Sequence, residues 1–134
     1  MTLRELTKLH RAMGEDLIID GIHYYMDRND RVVATATKGL NSADVKLLDG
    51  TEIIDDRAFE GYKIRNIRMP SSIIEIKTRG FAGSHLESVE IPKGVTVIGP
   101  GAFLWCSRLT NVKFSKGIKE MGYAPFMVIL LLNV

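Results

Sequence analysis

The sequence predicts a β-rich solenoid, in which short strands stack coil upon coil behind a short leading α-helix and an N-terminal β-hairpin cap. Three observations carry this prediction. A phenylalanine recurs about every 22 residues, apolar positions repeat in register with it, and prolines recur at one place in the repeat. In a chain of 134 residues, this pattern leaves room for about three complete coils and a partial fourth.

The leading helix is predicted over about residues 3 to 13, within a leader of residues 1–16. Thr2 and Glu5 have the spacing of a capping box, and Gly14 is a stop signal. Apolar residues recur between them along one helical stripe: Leu3, Leu6, Leu9 or His10, and Met13. We expect this stripe to pack on the following hairpin, with fraying of the helix as the alternative.

Residues 17–49 are predicted to form a capping region built on a β-hairpin. Ile22, Tyr24 and Met26 alternate with more polar residues, residues 27–30 are polar, and alternation resumes over residues 32–37. A solenoid needs terminal caps, because its first coil otherwise exposes an apolar end to water. We therefore expect the hairpin to cover the first coil.

The repeats are predicted over residues 50–134, and phenylalanines set their length. Phe59, Phe81, Phe103 and Phe126 follow one another at intervals of 22, 22 and 23 residues. Two further apolar positions keep step with them, first Ile64, Leu86, Leu109 and Leu131, then Ile67, Val89, Val112 and Val134. A coil that buries one face needs apolar residues at fixed places, so we expect these residues to form the core.

Each coil is expected to contain a short strand, a proline turn, a second short extended segment and a tight loop that carries the phenylalanine. In the stretch Ser88-Val89-Glu90-Ile91, alternation puts the apolar residues on one face of a strand. Pro70 and Pro92 follow the equivalent strands. Proline lacks an N–H donor and fixes φ, so it ends a strand rather than continuing it.

These units resemble the BspA-like (Treponema pallidum type) leucine-rich repeat family. The unit GPGAFLWCSRLTNVKFSKGIKEM matches best, through Ala102-Phe103, Cys106, Leu109 and Val112. Tyr62 and Ser84 replace the cysteine of the family pattern, and Trp105 stands where glycine is common. The resemblance implies a leucine-rich-repeat solenoid and a non-enzymatic binding or adhesion role, and it brings no catalytic residues. It also implies a cell-surface or secreted protein, although the first sixteen residues have no signal-peptide core.

Composition and charge exclude several function classes. The net charge of +2 is too small to indicate nucleic-acid binding, and the longest apolar run, residues 126–132, is far shorter than the roughly 20 residues that span a bilayer. The single cysteine, Cys106, rules out a disulfide framework and a four-cysteine zinc site. We expect no cofactor and no metal, since His10, His23 and His85 lack ligand spacing.

Candidate catalytic groups each have a simpler structural interpretation. Cys106 occupies the small buried position of the repeat, so a packed thiol is favoured over a dyad with His85. Asp55 and Asp56 are favoured as a solvated turn over an acid pair. The sequence therefore favours a protein that is not an enzyme.

The outward positions of the predicted strands are the candidate partner-binding residues. They stack in two columns, Asn66, Ser88 and Asn111 in one and Arg68, Glu90 and Lys113 in the other. Solvation alone explains such columns as well as recognition does. Trp105 joins this set as a large aromatic in a loop, either exposed for binding or folded back over the coil.

The last unit begins at Phe126 and continues through Leu131 to Val134 without a polar capping unit. We expect self-association through this uncapped edge. The favoured function is a binding or adhesion module for a protein or glycan partner. The alternative is a segment of a longer array, whose role is spacing and assembly.

Overall fold

The computed structural model describes residues 1–114 and 117–122. It shows a β-solenoid of about 4 turns behind an N-terminal helix and hairpin. In chain order the elements are α1 (Leu3–Met13), β1 (Leu17–Ile19), β2 (Ile22–Met26), β3 (Val32–Ala36), β4 (Asp44–Lys46), β5 (Ile53–Ile54), β6 (Asn66–Arg68), β7 (Glu75–Ile76), β8 (Ser88–Glu90), β9 (Val97–Ile98), β10 (Asn111–Lys113) and β11 (Glu120–Met121).

Helix α1 has the predicted bounds, and its buried face matches the predicted stripe in part: Leu3 and Leu6 pack on the core, and His10 is half-buried. The Thr2 hydroxyl accepts a hydrogen bond from the Glu5 N–H at 3.1 Å, which is the predicted cap. Leu3 and Thr7 are buried against the hairpin, whereas Leu9 and Met13 are about half exposed, so the predicted stripe is wrong at these two residues. The Thr7 hydroxyl donates to the Arg4 carbonyl at 2.9 Å, so burial leaves it satisfied.

The hairpin of β2 and β3 is confirmed, and it joins the solenoid through hydrogen bonds. β3 pairs in parallel with β5, placing Val33 beside Ile53. The resulting seven-stranded sheet has the order β1-β2-β3-β5-β7-β9-β11. Strand β1, which the sequence analysis did not predict, adds an antiparallel strand outside β2 through the tight turn Asp20-Gly21.

The core of the solenoid is the phenylalanine spine, as predicted. Phe59, Phe81 and Phe103 are each 0% exposed. Their rings stack with centroids 5.3 and 5.2 Å apart and interplanar angles of 6° and 13°. Such offset stacks add to the free energy gained by burying the rings. The predicted continuation of the spine at Phe126, Leu131 and Val134 and the predicted C-terminal edge lie outside the described residues.

One apolar position of the repeat departs from expectation at the end of the described ladder. Met69 and Ile91 are buried after β6 and β8, but Phe114, in the same register after β10, is 54% exposed. Strand β10 pairs on one side with β8 and is the last strand of its kind in residues 1–114 and 117–122.

Candidate functional site

The outward residues of β4, β6, β8 and β10 form two aligned columns, which we call the strand ladder. Its first column is Asp44, Asn66, Ser88 and Asn111, and its second is Lys46, Arg68, Glu90 and Lys113. All eight residues are exposed, while the central residues Val45, Ile67 and Val89 are buried. A three-residue strand with an apolar centre projects its two flanking side chains away from the core. The structure therefore brings the six predicted strand residues onto one surface.

Two ladder residues were missed by sequence reasoning. Asp44 and Lys46 lie on β4, which pairs in parallel with β6 so that Asp44 faces Asn66 and Lys46 faces Arg68. The Asn66 Nδ2 donates to the Asp44 Oδ1 at 2.8 Å, which joins the two strands through their side chains. A signal was present in the sequence, since Val45 precedes Ile67 by the repeat length and is flanked by polar residues.

Among the described residues, four charges of the ladder's second column have no ion-pair partner. None of the ion pairs within residues 1–114 and 117–122 includes Lys46, Arg68, Glu90 or Lys113. Some charges elsewhere on the solenoid are paired, as Arg79 is with Glu60 at 2.7 Å. Others, such as Lys63 and Lys93, have no ion pair among the described residues either, so what distinguishes the ladder charges is their alignment. The ladder thus presents a fixed order of charge, positive, positive, negative and positive, that is available to a partner.

A cleft divides the ladder between its second and third strands. β4 pairs with β6 and β8 pairs with β10, but β6 and β8 lie side by side in separate two-stranded sheets. The cleft has a volume of about 400 Å³ and is lined by Arg68, Met69, Ser71, Glu90, Pro92, Lys93 and Gly94. Arg68 and Glu90, with opposite charges, both line it and form no ion pair with each other within 4.0 Å.

Trp105 lies on the loop side of the coil rather than in the ladder. Its side chain is 58% exposed, so of the two sequence-based alternatives the structure shows the exposed one. The Arg79 guanidinium carbon lies over the indole, 5.9 Å from its centroid. Trp105 has a φ of 59°, in the left-handed region, and the equivalent residues of the two preceding coils are Gly61 and Gly83. Trp105 is therefore a loop residue, and it is not part of the strand ladder.

The candidate catalytic groups are packed or structural. Cys106 is buried, and its thiol donates to the Phe81 carbonyl at 3.0 Å and lies 3.5 Å from the Ser84 hydroxyl. Burial raises the pKa of this thiol, which lowers its nucleophilicity at neutral pH. Asp55 accepts hydrogen bonds from the Tyr25 hydroxyl and from the Asp56 N–H. These contacts make Asp55 part of a turn that ties the hairpin to the first coil.

No group of three or more His, Cys, Asp or Glu side chains in residues 1–114 and 117–122 is arranged to hold a metal ion. In the same part of the chain, no helix has the length and apolar character needed to cross a membrane.

Comparisons with known proteins agree with this architecture. The solved structure of the pneumococcal vaccine antigen PcpA is similar, with a TM-score of 0.58, 16% identity and coverage of 84% of this chain and 42% of that chain. A leucine-rich repeat protein from Bacteroides capillosus has a TM-score of 0.49 and 15% identity, and the match covers 83% of this chain and 73% of that one. The chain thus spans less than half the length of the pneumococcal antigen. No curated protein sequence matches significantly.

The family model for the BspA type leucine rich repeat region matches residues 34–133, in 6 copies. This stretch includes all four strands of the ladder and the three stacked phenylalanines. The matched stretch is about three quarters of the chain, and in it the coils stack through parallel strands and phenylalanine rings, as expected of repeats that bury one continuous core. The protein is a member of the BspA-type leucine-rich repeat family.

Proposed function

We propose that the chain is a non-enzymatic binding or adhesion module that presents the strand ladder to a protein or glycan partner. One observation carries the proposal: Lys46, Arg68, Glu90 and Lys113 are aligned on one exposed surface, and none of them forms an ion pair within the part of the chain that the structure describes. Repeat solenoids commonly bind partners through such extended faces. Proteins of this family are mostly extracellular or surface proteins, which supports a role outside the cell.

The size of the ladder limits the affinity that it can supply. Four strands spaced about 4.8 Å apart span roughly 14 Å, and three residues extend about 10 Å, so the ladder covers on the order of 150 Å². A standard interface buries about 800 Å² on each partner. The chain therefore binds its partner weakly, or through loops beside the ladder as well, and charge order contributes specificity and association rate more than affinity.

The test reverses three ladder charges and compares the result with a matched control. The ladder variant is Arg68→Glu, Glu90→Lys and Lys113→Glu. The control variant reverses three exposed charges outside the ladder, Lys8→Glu, Glu15→Lys and Lys38→Glu, and changes the net charge by the same amount. Both are immobilised and tested against one panel of purified extracellular proteins and glycans at low and high salt.

We expect the ladder variant to lose binding that the wild type and the control variant retain. That binding weakens at high salt, because exposed charge interactions are screened. Equal binding by the ladder variant would contradict the proposal, as would equal loss in both variants. If the chain is instead an assembly segment, the reversals leave its self-association unchanged and the panel gives no partner.

A further inference from the structure

Trp105 is a bulky residue at a position of the coil where the backbone is left-handed. It is the single tryptophan of the chain, it is 58% exposed, and its φ is 59°. Gly61 and Gly83 occupy the same place in the preceding coils with φ of 75° and 66°. Glycine adopts this conformation without steric cost, whereas a residue with a Cβ atom adopts it only with strain. A bulky, strained and exposed residue at a glycine position points to a role in recognition.

Arg79, which lies over Trp105, shares the Glu60 carboxylate with Arg57. The Arg79 guanidinium covers part of the indole and donates from Nε to the Glu60 Oε2 at 2.7 Å. The Arg57 Nε lies 4.0 Å from the same oxygen, and its side chain is 67% exposed. Arg57, Arg79 and Glu60 together carry a net charge of +1. The ion pair with Glu60 holds Arg79 against the indole, so the aromatic and cationic surfaces are oriented together.

Three backbone N–H groups in the two coils below Trp105 already donate hydrogen bonds between coils. Gly61 N–H donates to the Ala82 carbonyl at 2.9 Å, and Gly83 N–H donates to the Leu104 carbonyl at 2.7 Å. The Arg79 N–H likewise donates to the Pro100 carbonyl at 3.0 Å. A peptide that adds as a strand needs free backbone groups. Recognition at this place therefore depends on side chains, namely an apolar ring surface and a guanidinium.

We propose that Trp105, Arg79 and Arg57 bind a carboxylated sugar residue of a glycan, at a site distinct from the strand ladder. The indole offers a flat apolar surface for the C–H face of the sugar ring. The guanidinium of Arg79 offers paired N–H donors for the planar carboxylate, and Arg57 adds a second cation one coil below. The net positive charge favours an acidic sugar over its neutral counterpart.

The emission of Trp105 tests this proposal directly, because no other tryptophan contributes to it. The probes are sialyllactose against lactose, and a glucuronate-containing oligosaccharide against the same oligosaccharide with its carboxyl groups reduced to alcohols. We expect a saturable change in emission with at least one acidic probe and binding at least about tenfold weaker for its neutral partner. No change with either acidic probe, or equal binding of the neutral forms, would overturn the proposal. Equal binding of a polyglutamate peptide would also overturn it, since charge alone would then suffice.

Variants separate recognition from folding. Trp105→Gly introduces the residue of the other two coils, so we expect its far-UV circular dichroism to match wild type and its sugar binding, measured by calorimetry, to be lost. Arg79→Gln should weaken binding at least about tenfold, while Arg65→Gln, an exposed arginine elsewhere, leaves it unchanged. If Trp105→Gly does not fold, Trp105→Phe, which keeps a smaller ring, is expected to bind measurably but more weakly. Wild-type affinity in Arg79→Gln, or in a folded Trp105→Gly, contradicts the proposal.

The reversed-charge ladder variant distinguishes this site from the proposed function. It keeps Trp105, Arg79 and Arg57, so it should bind the acidic probe with wild-type affinity. Failure of the sugar experiments leaves the ladder proposal standing, and loss of ladder binding leaves the sugar site standing. Loss of sugar binding in the ladder variant would show that the two surfaces are not separate, which contradicts the inference.

Discussion

Replacing Phe81 by alanine tests whether the stacked phenylalanines hold the coils together. The ring is fully buried and lies between Phe59 and Phe103, with centroid separations of 5.3 and 5.2 Å. Truncation of a buried phenylalanine costs about 3 to 5 kcal/mol. Because Phe81 stacks on both neighbours and each aromatic pair contributes about 0.5 to 1.5 kcal/mol, we expect the upper end of that range, about 5 kcal/mol.

Urea unfolding followed by far-UV circular dichroism measures this loss. Domains of this size have free energies of unfolding of about 5 to 15 kcal/mol, so Phe81→Ala lowers the midpoint sharply or unfolds the chain. Phe81→Leu keeps most of the volume and loses both stacks, so we expect a cost of about 2 kcal/mol. This second variant keeps the test decisive if the alanine variant does not fold.

Phe114→Ala is the matched control, because it makes the same chemical change at a side chain that is 54% exposed. We expect a cost of about 1 kcal/mol or less, as for most surface substitutions. If Phe81→Ala lowers the free energy of unfolding by no more than Phe114→Ala does, the stacked phenylalanines do not hold the coils together. If Phe81→Leu unfolds at the wild-type midpoint, stacking contributes nothing beyond burial.

Four further predictions concern single contacts. Thr2→Ala removes the helix cap and should raise hydrogen exchange in α1, with a cost of about 1 kcal/mol. Gly99→Ala should lower the unfolding midpoint strongly, since an added Cβ would lie 2.6 Å from the Thr78 backbone nitrogen. Burial, with the nearby Asp55 carboxylate, raises the pKa of Tyr25 above 10.0, so the folded state keeps a proton that the unfolded state releases above that pH. Stability should therefore fall as pH rises beyond 10.0, and Tyr25→Phe should reduce the slope. Cys106 should be alkylated more slowly in the folded than in the unfolded chain, because burial raises its pKa.

Much of the fold could be predicted from the sequence because its repeats are periodic. The phenylalanine interval predicted the spine, and alternation predicted β2 and β3 as well as the outward columns. Strand β4 was missed because Thr37, and not a phenylalanine, lies eight residues before Val45, so the phenylalanine interval does not extend to this strand. The buried face of α1 was misassigned in part, because Thr7 can satisfy its own hydroxyl within the helix, which periodicity of apolar residues does not reveal.

The candidate sites were predictable only in part. Alternation shows which side chains of a strand point outward, and the six ladder residues predicted this way are exposed. It does not show whether their charges are paired, since that depends on distances between coils. The contact of Arg79 with Trp105 was also beyond sequence reasoning. Arg79 lies two residues before the phenylalanine of its coil, whereas Trp105 lies two residues after the phenylalanine of the next coil. Only the geometry of the loops brings them together.

Folding determines the buried residues of each coil, but it does not determine the charged residues of the ladder. The buried positions of each coil are fixed by packing, and the Arg79–Glu60 pair is fixed by a short contact between loops. Exposed charges on three-residue strands contribute little to stability whether or not they are paired. Stability therefore does not determine that the second column contains Lys46, Arg68, Glu90 and Lys113 in that order. In the proposed function, a partner with the opposite charge at each of these four positions is attracted at every one, and a partner with the same charges is repelled. This column is therefore where the coils can encode specificity.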